Sequence, residues 1–406
     1  MPNRSNKSRL SPDTVRKLAI GWMVFVALAG AAVFFILLIT LNNRSQRLAA
    51  EAELTAVAVV PTLTSVPIEI EPSATLDPAA GPTVTPTPPT TIGLDGDKLE
   101  LGGQVPGFIA NPDVMRSAGM TWVKFQFPWS PDADPAQARQ LIETGHSHGF
   151  KVLLSMPGQP YPQETIDYAS YLEYLEQVAA FQPDAIEIWN EMNLDREWPA
   201  GQIDPVAYVE NMLAPGYEII KRVSPQTTVI IGALAPTGFD NGTNAWSDQR
   251  YVAGLAAAGA ANYADCIGVH HNSGTTAPSA RTGHVSDPGD AHYSWYYLPT
   301  VEVYYEGMNR QLPICVTEFG YLTPDGFDTP IPQNFAWGNN NTIEEQAAWL
   351  AEGVNISQDL GYVHLMIIWN VDFTNWDEND PFAGYAILRP DGTCPACSTL
   401  RQAISD

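Results

Sequence analysis

Two stretches of this 406-residue chain end an apolar run in a glutamate with amide or aromatic neighbours. The first is Asp184–Trp198, DAIEIWNEMNLDREW. Ile186 and Ile188 alternate with Glu187 and lead into Trp189-Asn190-Glu191, the pattern of a short buried strand that carries a carboxylate to its C-terminal end. The second is Leu312–Tyr321, LPICVTEFGY, in which Glu318 precedes Phe319 and Gly320. Taken singly, either glutamate reads equally well as a solvated turn residue. Brought together, two carboxyl groups can divide acid and base work between them, and such a pair is what cleavage of a glycosidic bond requires.

Other residue types support or qualify that reading. Trp129, Trp198, Tyr321, Trp337, Phe373 and Trp376 follow strand ends or occupy the loops beyond them. One such ring packs under a loop as readily as it faces solvent, but six together suggest stacking surfaces for the apolar faces of sugar rings. Glu187 alternates with apolar residues and is read as a barrel-interior or salt-bridged group rather than a catalytic one. His271 is read as a loop polar group. Asp372, Asp377, Glu378 and Asp380 form an acidic run whose spacing does not match a calcium-binding loop. No metal and no cofactor are expected.

The elements that must position these residues recur with a regular period from about residue 95. Apolar runs at 101–108, 121–127, 150–155, 184–189, 227–234, 265–270, 312–317 and 363–369 read as strands. Helical patterns lie between them at 135–149, 165–182, 204–223, 248–261, 294–310 and 342–360. Eight strands alternating with helices over about 310 residues argue for a closed (β/α)8 TIM barrel. An open doubly wound sheet is the rival, but no glycine-rich fingerprint follows the first strand. In the barrel, Glu191 ends the fourth strand and Glu318 the seventh, so both face the C-terminal mouth.

The motifs Trp189-Asn190-Glu191, Thr317-Glu318-Phe319-Gly320 and Ile368-Trp369-Asn370, with the closing run Ala386 to Thr393, give the chain its family likeness. Over residues 95–406 it resembles clan A of the retaining glycoside hydrolases, nearest in flavour to the cellulase-like family 5 and to family 39. The resemblance implies Glu191 as acid/base, Glu318 as nucleophile and Asn190 as a donor to the sugar 2-hydroxyl. It implies His270 as the histidine of strand six. It makes Trp369, joined to Asn370 by a cis peptide, the platform under the sugar. Trp129 and Tyr321 join the expected substrate-binding set as mouth aromatics. Two positions depart from the clan pattern. Lys124 stands where an arginine supports the nucleophile, which loses a bidentate fork but keeps the charge. Asn272 stands where a tyrosine hydroxyl touches the nucleophile. These departures leave a second reading open, a catalytically weak or silent carbohydrate-binding barrel at the cell surface.

Charge and hydropathy bound the partners. The formal net charge is −25, which argues against nucleic acid as a partner, since phosphate binding needs clustered Lys and Arg. The acid is unevenly spread: residues 1–17 carry five basic residues against Asp13, whereas from residue 48 onward 13 Lys and Arg face 44 Asp and Glu. A neutral polysaccharide or oligosaccharide suits such a body better than an anionic polymer, and the domain is expected to act as a monomer. Residues 18–41 contain no charge; as a helix they span about 36 Å, enough for a bilayer core of ~30 Å. A cleaved signal peptide is the alternative, but its apolar region is shorter and no small-residue cleavage site cleanly follows. The basic flank places residues 1–17 in the cytoplasm and the rest outside. Residues 42–94 include a run, Pro61–Thr91, with eight Pro and eight Thr, an extended semi-rigid spacer.

Of the four cysteines, Cys266 and Cys315 fall inside predicted strands and are read as small buried apolar residues. Cys394-Pro-Ala-Cys397 lacks two further zinc ligands nearby and the fold context of a redox motif. A local disulfide bracing the last loop is the preferred reading.

Overall fold

The computed structural model describes residues 93–405, apart from Asp95, Asp97, 159–164, 290–291 and Glu378. The expected cytoplasmic tail, the expected membrane span at 18–41 and all but the last two residues of the expected linker lie outside the described residues. Among those described, no helix is long and apolar enough to cross a membrane.

Eight parallel strands close into a barrel in chain order. They are β1 (Glu100–Gln104), β2 (Trp122–Gln126), β3 (Lys151–Met156), β4 (Ala185–Ile188), β5 (Thr228–Leu234), β6 (Cys266–His271), β7 (Ile314–Phe319) and β8 (Val363–Ile368). Each expected strand is present to within a few residues. Seven helices of the barrel layer are α1 (Pro112–Ser117), α2 (Ala136–Ser147), α3 (Tyr168–Ala179), α5 (Ala214–Val223), α6 (Asp248–Ala257), α7 (Tyr297–Gly307) and α8 (Ile343–Leu360); α4 (Pro205–Tyr208) leads into α5, and α9 (Pro395–Ser405) ends the chain. The pattern at 204–223 predicts one α-helix. The observed rod widens into a π-turn at Val209–Leu213 between α4 and α5. It does so just before Pro215, which has no N–H to offer the carbonyl four residues back. α8 begins at a capping box between Thr342 and Glu345 and stops at Gly361, whose φ of 67° is left-handed.

Side-chain alternation with period two divides each strand between two environments. Outward residues such as Val123, Phe125, Ile186, Ile188, Val229, Ile267 and Val316 join the helices in one large apolar cluster. The inward residues form a graded column. At its base, Trp122, Leu153, Ala185, Ile230, Cys266, Cys315, Leu365 and Ile367 pack together with Leu94. Leu94, read as the last linker residue, is therefore part of the barrel. Two residues further along β2, β3, β4 and β7 come Lys124, Ser155, Glu187 and Thr317, all fully buried. The column is thus mainly apolar at its base, where Trp122 also donates to Glu100, and polar and charged towards the C-terminal mouth.

The reading of Cys266 and Cys315 as unlinked apolar residues is corrected by a disulfide between them. They face inward from neighbouring strands with Cα atoms 5.9 Å apart, within bonding range. Cys394 and Cys397 form the second disulfide, as expected, at the start of α9. The Cys266–Cys315 bridge closes a span of 49 residues, and a loop of that order gives about 2–4 kcal/mol by restricting the unfolded chain. The double variant Cys266→Ala/Cys315→Ala should lower unfolding stability by that amount in urea titration. An unchanged midpoint would mean that the bridge contributes nothing.

Candidate active site

The mouth of the barrel is where the inward column ends, and its last layer is charged. Lys124, with no exposed surface, points its Nζ at three acceptors: the Thr317 carbonyl at 3.0 Å, Glu318 Oε1 at 3.2 Å and Glu187 Oε2 at 3.6 Å. Glu187 is held in turn by the Thr317 hydroxyl at 2.7 Å and the Ala233 N–H at 3.2 Å. The reading of Glu187 as a buried, salt-bridged barrel residue matches this placement.

Glu318 reaches the mouth because the β7 pairing with both neighbours is irregular. The β6–β7 register shifts between Val269 and His270, and the β7–β8 register shifts between Val316 and Phe319. Such irregularities re-aim a side chain at a strand end. Gly320 follows because the chain there runs against β8: a Cβ would collide with the Trp369 carbonyl oxygen. Asn272 donates from Nδ2 to Glu318 Oε2 at 3.1 Å. The two residues that depart from the clan pattern, Lys124 and Asn272, therefore each touch one oxygen of Glu318.

Glu191 arrives by a different route. It lies three residues beyond β4, in a loop where Trp189 and Glu191 adopt left-handed φ angles of 73° and 41°. Such angles are unfavourable for side chains of this size and need fixed surroundings. The loop supplies them. Trp189 Nε1 donates to the Glu197 carbonyl, Glu191 N–H donates to the Ala233 carbonyl, and Asn193 exchanges two hydrogen bonds with Ala235. Glu191 Oε1 lies 3.1 Å from His270 Nδ1, and Oε2 accepts from Arg196 Nη2. The same His270 nitrogen is 3.7 Å from Glu318 Oε2. One imidazole nitrogen thus stands between the two glutamates.

The electrostatics separate the groups. Burial alone would raise the Glu318 carboxyl, but His270 and then Lys124 outweigh it and hold the group below the usual carboxylate range. Burial drives His270 downward, and the negative charge of Glu318 opposes it. Glu197, two turns of loop beyond Glu191, behaves oppositely: burial first, then Glu318, push its carboxyl up to about 7 despite Arg196.

These residues line one cleft of about 650 Å³. Asn190, Glu191, Asn272, Glu318 and Trp369, all expected at the site, are on its wall, as is Phe373. The Trp369–Asn370 peptide is cis, as expected. Lys124 and His270 sit beneath the wall and reach it through the glutamates. Trp129 and Tyr321 do not line the cleft. Trp129 is 5 % exposed and packs edge-on to Tyr171; Tyr321 is fully buried among Phe319, His271 and Trp349. Trp198 likewise joins Trp189 and Tyr208 under the β4 loop. These rings wedge the loops in place from below. Residues not anticipated are Arg196, Glu197, Gln104, Gln126, Phe335, Phe382 and Tyr385. Tyr385 donates its hydroxyl to the Asn272 carbonyl at 2.7 Å and packs edge-on against Trp369. The dipeptide Arg196-Glu197 stands in the same stretch as Glu191, but no periodicity tells which way a loop side chain turns. Among the described residues no group of three or more His, Cys, Asp or Glu side chains forms a metal-binding cluster.

No protein-family model and no curated protein matches the sequence. Solved structures do match in fold. A family 39 glycoside hydrolase from Bacteroides cellulosilyticus WH2 shares 17 % identity at a TM-score of 0.52, over 76 % of this chain and 64 % of that one. A glucosidase from Croceicoccus marinus shares 14 % at 0.51, over 78 % and 66 %. A GH5_18 structure from Bifidobacterium longum subsp. infantis shares 13 % at 0.50, over 75 % and 78 %. The chain spans about two thirds of the length of the first two. At these identities the likeness is one of fold, an eight-stranded parallel barrel shared with glycoside hydrolases.

Glu197 gives a testable pH dependence. Its folded value of about 7 lies above the ordinary 4.5, so between those limits the native state holds the proton more tightly than the unfolded chain. Its contribution to stability is therefore present at low pH and is lost as pH rises through 7. Glu197→Gln, which cannot ionise, should gain stability relative to the parent between pH 5 and pH 8 in paired urea titrations. A constant difference across that window would show that Glu197 is not held protonated.

Proposed function

We propose that the chain is a retaining β-glycoside hydrolase that cleaves a polysaccharide or oligosaccharide by double displacement, with residues 18–41 anchoring it in a membrane and the barrel on the extracytoplasmic side. The observation that carries the reading is the single His270 nitrogen within 3.7 Å of both Glu191 and Glu318. It supports a short separation of the two carboxyl groups, of the kind that retaining enzymes use at ~5–5.5 Å rather than the wider gap that admits a water between.

In this mechanism Glu318, kept ionised by its neighbours, attacks the anomeric carbon, while Glu191 gives its proton to the departing oxygen. The glycosyl–Glu318 ester is then hydrolysed by a water that Glu191, now a carboxylate, deprotonates. Arg196 suits the second step, because a cation beside Glu191 favours its ionised form. The Arg196 side chain is more than half exposed, so it can swing aside when the proton is needed. Asn190 and Trp369 are placed to hold the sugar, and Phe335, Phe373 and Phe382 offer further apolar faces. The silent-barrel alternative drew on the departures at positions 124 and 272. Contacts from Lys124 and Asn272 to Glu318 support the catalytic reading instead. The extracytoplasmic placement draws support from two disulfides, which persist in oxidising compartments.

The two glutamates should fail differently when truncated in the full chain. Glu318→Ala should abolish turnover of every aryl β-glycoside, since no ester can form. Glu191→Ala should lose roughly 10²–10⁴-fold on natural polymer, yet still be glycosylated by dinitrophenyl glycosides and then stall. Azide should release the stalled ester as the β-glycosyl azide. An α-azide from Glu191→Ala would reverse the roles, and wild-type rates in both variants would place the chemistry elsewhere.

A further inference from the structure

A second cavity, of about 640 Å³, adjoins the catalytic cleft. The two share Phe373 as a common wall. The short helical turn Phe382–Tyr385 divides between them as well: Phe382 and Tyr385 face the cleft, Ala383 the second cavity. Its size falls within the range of small-molecule sites, ~300–1,000 Å³, and nothing in the mechanism above uses it.

Its lining combines two chemistries. Phe327 and Trp376 are stacked face to face with centroids 4.0 Å apart and planes 8° from parallel. Trp376 Nε1 donates to the Thr329 carbonyl at 3.0 Å, and the Arg389 guanidinium lies over the Phe327 ring at 5.2 Å. These contacts tie the loop after β7, which carries Phe327 and Thr329, to the loop after β8, which carries Trp376. Opposite in character is Asp372. It is 9 % exposed and accepts a hydrogen bond at Oδ2 from Asn111 Nδ2 at 2.7 Å, while its Oδ1 has no hydrogen-bond partner among the described residues. That oxygen is closed off from solvent, but Asp372 and Asn111 both line the cavity, so their hydrogen-bonded pair is where a ligand hydroxyl would bind. Burial also raises this carboxyl above its ordinary value, Asn111 opposing. Aromatic faces beside a carboxylate–amide pair suit a neutral polyhydroxylated ring: the rings take its apolar face and the pair takes its hydroxyls.

We propose that this second cavity is a distal sugar site, holding a stretch of the same polysaccharide whose linkage is cut between Glu191 and Glu318. The inference rests on the glycosidase reading for the identity of the chain, and on the cavity itself for the binding. Phe373, in contact with both spaces and 6.2 Å from the Trp369 ring, carries the sugar chain from one to the other. The enzyme then favours long substrates, because a short one fills only the cleft.

The test uses the full chain and β-linked gluco-, manno-, galacto- and xylo-oligosaccharides of two to six residues. Two variants alter the second cavity in opposite ways: Phe327→Ala removes one of its rings, and Thr374→Trp fills it. In the wild type, kcat/KM should rise with chain length. Both variants should lose roughly tenfold on the longest substrates, the scale of one lost stacking contact. Turnover of an aryl monoglycoside should change less than about twofold, since it does not reach past Phe373. Equal length dependence in wild type and both variants overturns the proposal. So does an equal loss on the monoglycoside. If the wild type cleaves nothing, the glycosidase reading fails. Binding of the hexasaccharides to Glu318→Gln by calorimetry then decides the second cavity separately: affinity lost in both cavity variants upholds it, and affinity unchanged in both overturns it.

Discussion

A single buried ammonium organises the mouth of this barrel. Lys124 has no exposed surface and stands between Glu187 below and Glu318 above. A charge in such a place is tolerable only when paired and hydrogen-bonded, and the Thr317 carbonyl, the Thr317 hydroxyl and the Ala233 N–H complete that requirement. Two carboxylates share one cation, so the upper one keeps part of its negative charge uncompensated and directed into the cleft. Removing Glu187 would give the whole cation to Glu318 and blunt it; removing Lys124 would leave two like charges buried against each other.

Much of the frame was legible because each of the eight strands reads as a short apolar run, and from the second strand onward most are separated by a helical pattern of the right length. The polar inner layer was partly legible too: Glu187 sits between Ile186 and Ile188, and only an interior that is itself polar accommodates it there. The inter-strand register is not written in any one strand, so the juxtaposition of Cys266 with Cys315 stayed hidden and each read as an isolated small apolar residue. Loops were read least well. An aromatic after a strand end can tip into the mouth, as Phe373 does, or beneath the loop, as Trp129 and Tyr321 do. Periodicity carries no information on that choice, which is made by neighbours such as Tyr171 and Trp349 that arrive from distant helices.

The division of labour between ring systems follows from this. One set, Trp129, Tyr171, Trp189, Trp198 and Tyr208, forms an edge-to-face chain that runs from the loop after β2 to beneath the loop after β4. It fixes the backbone at the left-handed Trp189 and Glu191, so a carboxylate carried on a loop is held nearly as firmly as one on a strand. The other set, Trp369, Phe373, Phe382 and Tyr385, lies on the opposite side of the cleft and faces its contents. The first set packs beneath the loops, and the second forms a wall of the cleft.

The covalent tie at the base of the column bears on how the protein matures. Cys266 opens β6 and Cys315 is the second residue of β7, and the same two strands carry His270 and Glu318 as their penultimate residues. Before the thiols are oxidised, those strands are held side by side by backbone pairing and packing alone. A newly made chain still in a reducing compartment therefore has a looser floor beneath its carboxylates than the finished molecule. In an oxidising compartment the Cys266–Cys315 bridge locks that floor.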